Sequence, residues 1–114
     1  MGNFQQSAFH IDNTAINRNH MTVQGWLAND NSMTKPYAYA ILLQNGHEIG
    51  RQRLTLSERK DVAKVYPQIY RSQYSGFRSS FNLPTLSTKG LQLVLRFTDD
   101  PKGNGNSSDN WINL

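Results

Sequence analysis

A run that is apolar on both faces and closed at once by a hairpin signal does most to limit the folds open to this chain. Over residues 37–44, Tyr37, Tyr39, Ile41 and Leu43 alternate with Ala38, Ala40 and Leu42. Successive strand residues point to opposite sides, so a strand of this kind needs cover on both. Asn45-Gly46 follows directly, and a type I′ turn takes positive φ at both central residues, which this pair tolerates. A central antiparallel strand is therefore predicted, with its return over residues 48–56.

The rest of the chain repeats the alternation more weakly. Residues 91–98 set Leu91, Leu93, Leu95 and Phe97 against Gln92, Arg96 and Thr98, and residues 20–28 set Met21, Val23, Gly25 and Leu27 against Thr22, Gln24 and Trp26. Residues 76–83 place Phe77, Phe81 and Leu83 inward; residues 7–11 and 109–113 complete the strands, and residues 13–19 read as a turn. Ser57 is a plausible N-cap for a short helix over residues 58–65, which Pro67 would stop. The predicted fold is all-β: an immunoglobulin-like antiparallel β-sandwich of about seven strands with one short helical insertion. Residues 8–114 form the single domain, behind a flexible lead over residues 1–7. Twelve Asn and ten Ser in 114 residues fit a protein of many turns.

Several kinds of chemistry are excluded. The chain has no Cys, so disulfides, thiol nucleophiles and thiolate metal sites are absent. His10, His20 and His47 form no metal-binding spacing. Ser75 lacks the preceding glycine of a nucleophile elbow. The neighbouring Asp99 and Asp100 would point to opposite faces of a strand, which suits no paired-carboxylate cleavage. Asp99, Asp100, Asn104, Asn106 and Asp109 gather oxygen donors around a glycine-bearing loop, but in no EF-hand spacing, so internal loop hydrogen bonding is preferred to calcium. The chain is read as no enzyme, with no cofactor and no metal. No apolar run approaches the roughly 20 residues of a membrane span, so no membrane insertion is expected. Residues 1–6 carry neither a basic start nor an apolar stretch; the chain is read as cytosolic or as a piece of a longer exported protein.

Charge is concentrated. Arg51, Arg53, Arg59, Lys60, Lys64, Arg71 and Arg78 face two acids between residues 51 and 78, a net of +5 in a chain of net +4. A basic band of this kind suits a polyanion or merely keeps the surface solvated. Aromatic residues add a second signal. Trp26 shares the polar parity of its strand and is either a platform for a sugar ring or the central core residue, the commoner role in such sandwiches. Tyr66, Tyr70 and Tyr74 recur every four residues, interleaved with Lys64 and Arg71. Tyr66 is expected to pack, with Tyr70 and Tyr74 exposed. The candidate ligand-binding residues are Trp26, Arg59, Lys60, Lys64, Tyr70, Arg71 and Tyr74.

Five groups of residues in register resemble a known module: Val23-Gln24-Gly25-Trp26; Lys35-Pro36-Tyr37; the stretch from Arg59 to Pro67; Ser75-Gly76-Phe77; and Arg96 to Asn106 followed by Asp109-Asn110-Trp111. In that order they are similar to an accessory module of exported peptidoglycan hydrolases and surface proteins of lactobacilli and related Gram-positive bacteria. The resemblance departs at the C-terminus, where Asn110 and Ile112 replace flanking aromatics, and at Tyr70 and Tyr74, where the module is smaller and more polar. It implies a secreted or cell-surface, non-catalytic module near the cell wall. The partner is then cell-wall polysaccharide or teichoic acid. The alternative is an immunoglobulin-like spacer with no tight ligand. Nucleic acid is the least supported partner, as no recognised motif stands behind the basic band. The sequence assigns no oligomeric state.

Overall fold

The computed structural model describes residues 6–114. Eight strands form two antiparallel sheets: β1 (Ser7–Asn17), β2 (His20–Asn29), β3 (Tyr37–Gln44), β4 (His47–Leu54), β5 (Ser57–Glu58), β6 (Tyr74–Asn82), β7 (Leu91–Thr98) and β8 (Ser107–Asn113). One sheet runs β1-β2-β6-β5 and the other β4-β3-β7-β8. This is the strand order of immunoglobulin-type sandwiches, with one extra strand beside the third. A single turn of 3-10 helix, Asp30–Met33, joins β2 to β3, and α1 (Lys60–Val65) is inserted between β5 and β6. Residues 1–5 of the expected lead lie outside the described residues.

The alternations explain the core. Met21, Val23 and Leu27 of β2 meet Ala40 and Leu42 of β3, Phe77 and Phe81 of β6, and Leu93, Leu95 and Phe97 of β7 in one buried cluster. The β3–β4 hairpin turns on Asn45 at φ 52° and Gly46 at φ 82°, as its sequence requires. Because β3 is apolar on both faces, its outer side builds a second small cluster from Tyr39, Ile41 and Val94. The loop over residues 99–106 lies on that face: the Tyr39 hydroxyl donates to the Pro101 carbonyl, and the Arg96 Nη1 donates to the Gly103 carbonyl at 2.9 Å. A Cβ on Gly103 would sit 3.1 Å from the Tyr39 ring.

Three local expectations are corrected. β1 continues to Asn17 through a bulge at Asp12, where residues 13–19 had suggested a turn. It is an edge strand whose inward positions Phe9 and Ile16 are 39% and 45% exposed, so the second half carries little apolar signal. Ser57 is no N-cap, because it pairs with Gly76 in β5; α1 begins after Arg59, which makes no side-chain cap bond. Trp26 is not a core residue, since it points out of its sheet and is half-buried there.

The two ends of the sandwich differ. β1 starts beside Asn29, and β8 finishes beside Gln92 at the opposite end. β4 passes into the other sheet through Thr55 and Leu56 alone to become β5. This crossing leaves part of the β6 edge unpaired by any strand, and Gln52 Oε1 accepts from the Ser80 N–H there at 2.7 Å.

Replacing Leu93, fully buried on β7, with Ala should cost about 2–5 kcal/mol in urea unfolding. Leu86→Ala, at a position 74% exposed, should stay within about 0.5 kcal/mol of the parent.

Candidate functional site

The insertion between β5 and β6 is fastened across the outer face of the first sheet by three contacts. Arg59 reaches Asp12 in the β1 bulge, with Nη1 to Oδ2 at 2.9 Å. Tyr66 covers Trp26, ring centroids 5.4 Å apart at a tilt of 44°. The Tyr70 N–H donates to Asp30 Oδ1 at 2.8 Å. Val62 and Ile69 of the insertion are each 3% exposed and lie outside both core clusters. Trp26 is therefore neither a free platform nor part of the core.

Arg59 is committed to structure. Its Nε and Nη2 hold both oxygens of Asp61, at 2.9 and 2.8 Å, while Nη1 holds Asp12. Hydrogen bonding to Asp61, then to Asp12, raises the guanidinium above its ordinary value. The same bond from Arg59 holds the Asp61 carboxyl down at about 2. The arginine stem crosses the sheet over Gly76, where a Cβ would stand 2.5 Å from Ser57 Oγ and 3.0 Å from Arg59 Cγ. Gly76 is thus needed for the close crossing rather than for its φ.

Tyr70, Arg71 and Tyr74 do come together. They form one side of a crevice of about 340 Å³ at the sandwich end where β2 gives way to the 3-10 turn. Its floor is the end of the core, Leu27, Ala38, Leu54 and Phe97; Met33 and Leu56 contribute to the walls. The Arg71 guanidinium lies 5.7 Å from the Tyr74 ring centroid, a cation–π arrangement. Among the described residues no carboxylate lies within ion-pair distance of it. Compared with family models, curated proteins and solved structures, the chain matches none. The site is read from its own residues.

The remaining expected residues are dispersed. Arg59 lines a second hollow of about 520 Å³, with Arg53, Arg78, Gln24 and Asp12. Of these, Arg53 stacks over Tyr37 at 4.8 Å, and Arg59 is held by its two aspartates. Lys60 and Lys64 are exposed on α1, in neither hollow. Arg51 is turned to Glu48 and to the Lys102 carbonyl. The basic band is thus several separate arrangements and not one surface. Carboxylates of the loop over residues 99–106 are likewise engaged, Asp99 accepting from Asn106 and Asp100 from the N–H groups of Lys102 and Asn104, and on β8 Asp109 accepts from Arg96. Among the described residues no three His, Asp or Glu side chains gather as metal ligands.

Sequence reasoning missed Asp12 and Asp30, which anchor the insertion, and Met33 and Leu56, which wall the crevice. Asp30 sits in the polar stretch Asn29-Asp30-Asn31-Ser32, a pattern that signals a turn and nothing of a partner forty residues away.

The Arg59–Asp61 pair should show in acid. Asp61 is depressed in the folded state, so its contribution is whole above the unfolded value of about 3.9 and is lost as pH falls through about 2. NMR titration of the Asp61 carboxyl should give a midpoint near 2, and Arg59→Gln should return it to the ordinary range.

Proposed function

We propose that this domain is a non-catalytic binding module that attaches an exported protein to the Gram-positive cell wall through carbohydrate or anionic wall polymer. The observation that carries this reading is the Tyr70–Arg71–Tyr74 corner: two tyrosines 37% and 42% exposed beside an arginine with no acidic partner among the described residues. Aromatic faces receive the C–H side of sugar rings, and a free guanidinium receives phosphate or carboxylate. The resemblance to accessory modules of secreted wall hydrolases and surface proteins supplies the setting, at the cell surface.

A spacer with no tight ligand is the second reading. It draws support from Trp26, whose ring is covered by Tyr66, and from Arg59, whose charge is answered by two aspartates. Both were expected from sequence to bind, and both act as fastenings in the fold.

Co-sedimentation with Gram-positive walls separates the two. The binding module should pellet with intact walls, and Tyr70→Ala together with Arg71→Gln should release most of it. Loss on stripping teichoic acid and at high salt identifies anionic polymer, because screening weakens exposed charge contacts. Retention through both identifies glycan stacking. No retention on any wall leaves the spacer.

A further inference from the structure

We infer that β1 is a dimerisation edge, on which a second copy of this chain lays its own β1 antiparallel, Phe9 of each copy opposite Ile16 of the other. The inference goes beyond attachment to a wall polymer and does not rest on it.

β1 is the outermost strand of its sheet and pairs with β2 alone, so among the described residues its other side meets no strand. An open edge is a template for further pairing, and proteins usually blunt it with Lys, Pro or short length. β1 has none of these: it runs 11 residues, Ser7–Asn17, without Lys, Arg or Pro. The other edges are blunted or shorter. β4 carries Arg51 and Arg53, β5 has two residues, and β8 has seven. The single carboxylate of β1, Asp12, is already answered by Arg59 Nη1 at 2.9 Å.

The bulge makes the strand complementary to itself. Regular alternation would put Phe9 and Ile16 on opposite faces, yet Phe9 stands beside Leu27 and Ile16 beside Met21, both core residues. The extra residue at Asp12 shifts the parity, so Phe9, Ile11, Thr14 and Ile16 all lie on the inner face. A two-fold axis normal to the sheet between residues 12 and 13 then sets Phe9 against Ile16 and Ile11 against Thr14, inner face to inner face, twice over. On the outer face it sets His10 against Ala15 and Ala8 against Asn17. At the axis Asp12 is opposite Asn13 and not another carboxylate. A slip of one residue would set inner positions against outer ones, and a slip of two would part Phe9 from Ile16.

Apolar surface is what the pairing gains. Phe9 and Ile16 are 39% and 45% exposed in the single copy, and in the dimer each covers the other. Ten paired residues span about 34 Å, and a sheet edge about 10 Å thick gives roughly 350 Å² per copy. The total of about 700 Å² is below the roughly 1,000 Å² of a lasting complex, so the dimer is weak and forms as copies concentrate.

The test reads self-association. Diluting the purified domain from about 1 mM, where weak contacts are populated, should shift the backbone amides of residues 8–17 in NMR spectra and speed tumbling. Phe9→Glu and Ile16→Lys should each weaken self-association about tenfold, because each removes an apolar partner from both halves of the contact. Mixed together, the two variants should associate more tightly than either alone, since opposite charges then face one another across one half and Phe faces Ile across the other. A purely structural role for the two side chains gives no such rescue. On the otherwise unchanged chain, a spin label at Asn17→Cys, the sole thiol in a protein without Cys, should broaden the Ala8 amide of an isotope-labelled partner and spare that partner's Asn17. The inference is overturned by spectra that do not change with concentration, by shifts centred away from β1, by mixed variants that fail to recover association, or by broadening elsewhere than around Ala8. None of these readouts involves a wall, so wall binding and dimerisation fail separately.

Discussion

With no cysteine to bridge the sheets, apolar contact between their inner faces carries the fold. Leu42, Leu93 and Leu95 are wholly buried on one side, and Met21 and Val23 on the other. In a domain of this size that burial must outweigh the entropy of ordering the chain with little to spare. The other features are arranged around that requirement. β3 and β7 stand at the centre of their sheet, where each strand face is covered, and the polar loops are kept at the ends. Where the second sheet runs out beside β1, inner-facing Phe9 and Ile16 stay half-exposed.

How much of this was legible follows the reach of each signal. Alternation marks a strand when one face meets the core and the other meets water, and β2, β3, β6 and β7 all satisfy that. In the second half of β1 the inward Ile16 is 45% exposed, so alternation there marks little buried surface and left a weak trace in the sequence. Ser57 shows a local preference losing to a distant one: a good cap in isolation, it is taken up in a ladder with Gly76. The parity of Trp26 was readable, but its cover comes from Tyr66, forty residues on. Nothing in either neighbourhood announces that meeting.

The candidate site shows the same division. Tyr70 and Tyr74 stand four apart beyond Pro67; α1 ends at Val65, and a turn with Arg71 at φ 55° brings both tyrosines to the crevice. Tyr70, Arg71 and Tyr74 thus meet at one crevice. The charge count was accurate as arithmetic but misleading as a surface. Arg51, Arg59 and Arg96 serve as crossbeams to Glu48, Asp12, Asp61 and Asp109, and their charge is answered locally. Arg71, by contrast, has an aromatic ring as its neighbour, and a ring leaves the guanidinium edges free to bind.

The placement of β1 and β8 has a mechanical consequence. β1 begins beside Asn29 at the crevice end, and β8 finishes beside Gln92 at the other. Tension applied at residues 7 and 113 runs along both outer strands in opposite directions. The hydrogen bonds of the β1–β2 and β7–β8 ladders lie across that direction, so they are loaded together in shear and not opened one by one. Between Ser7 and Asn17 the bulge at Asp12 is the weakest stretch of the first ladder, and there Arg59 grips the strand from beyond β2 and β6. A contact that looks like surface decoration thus acts as a clamp under load.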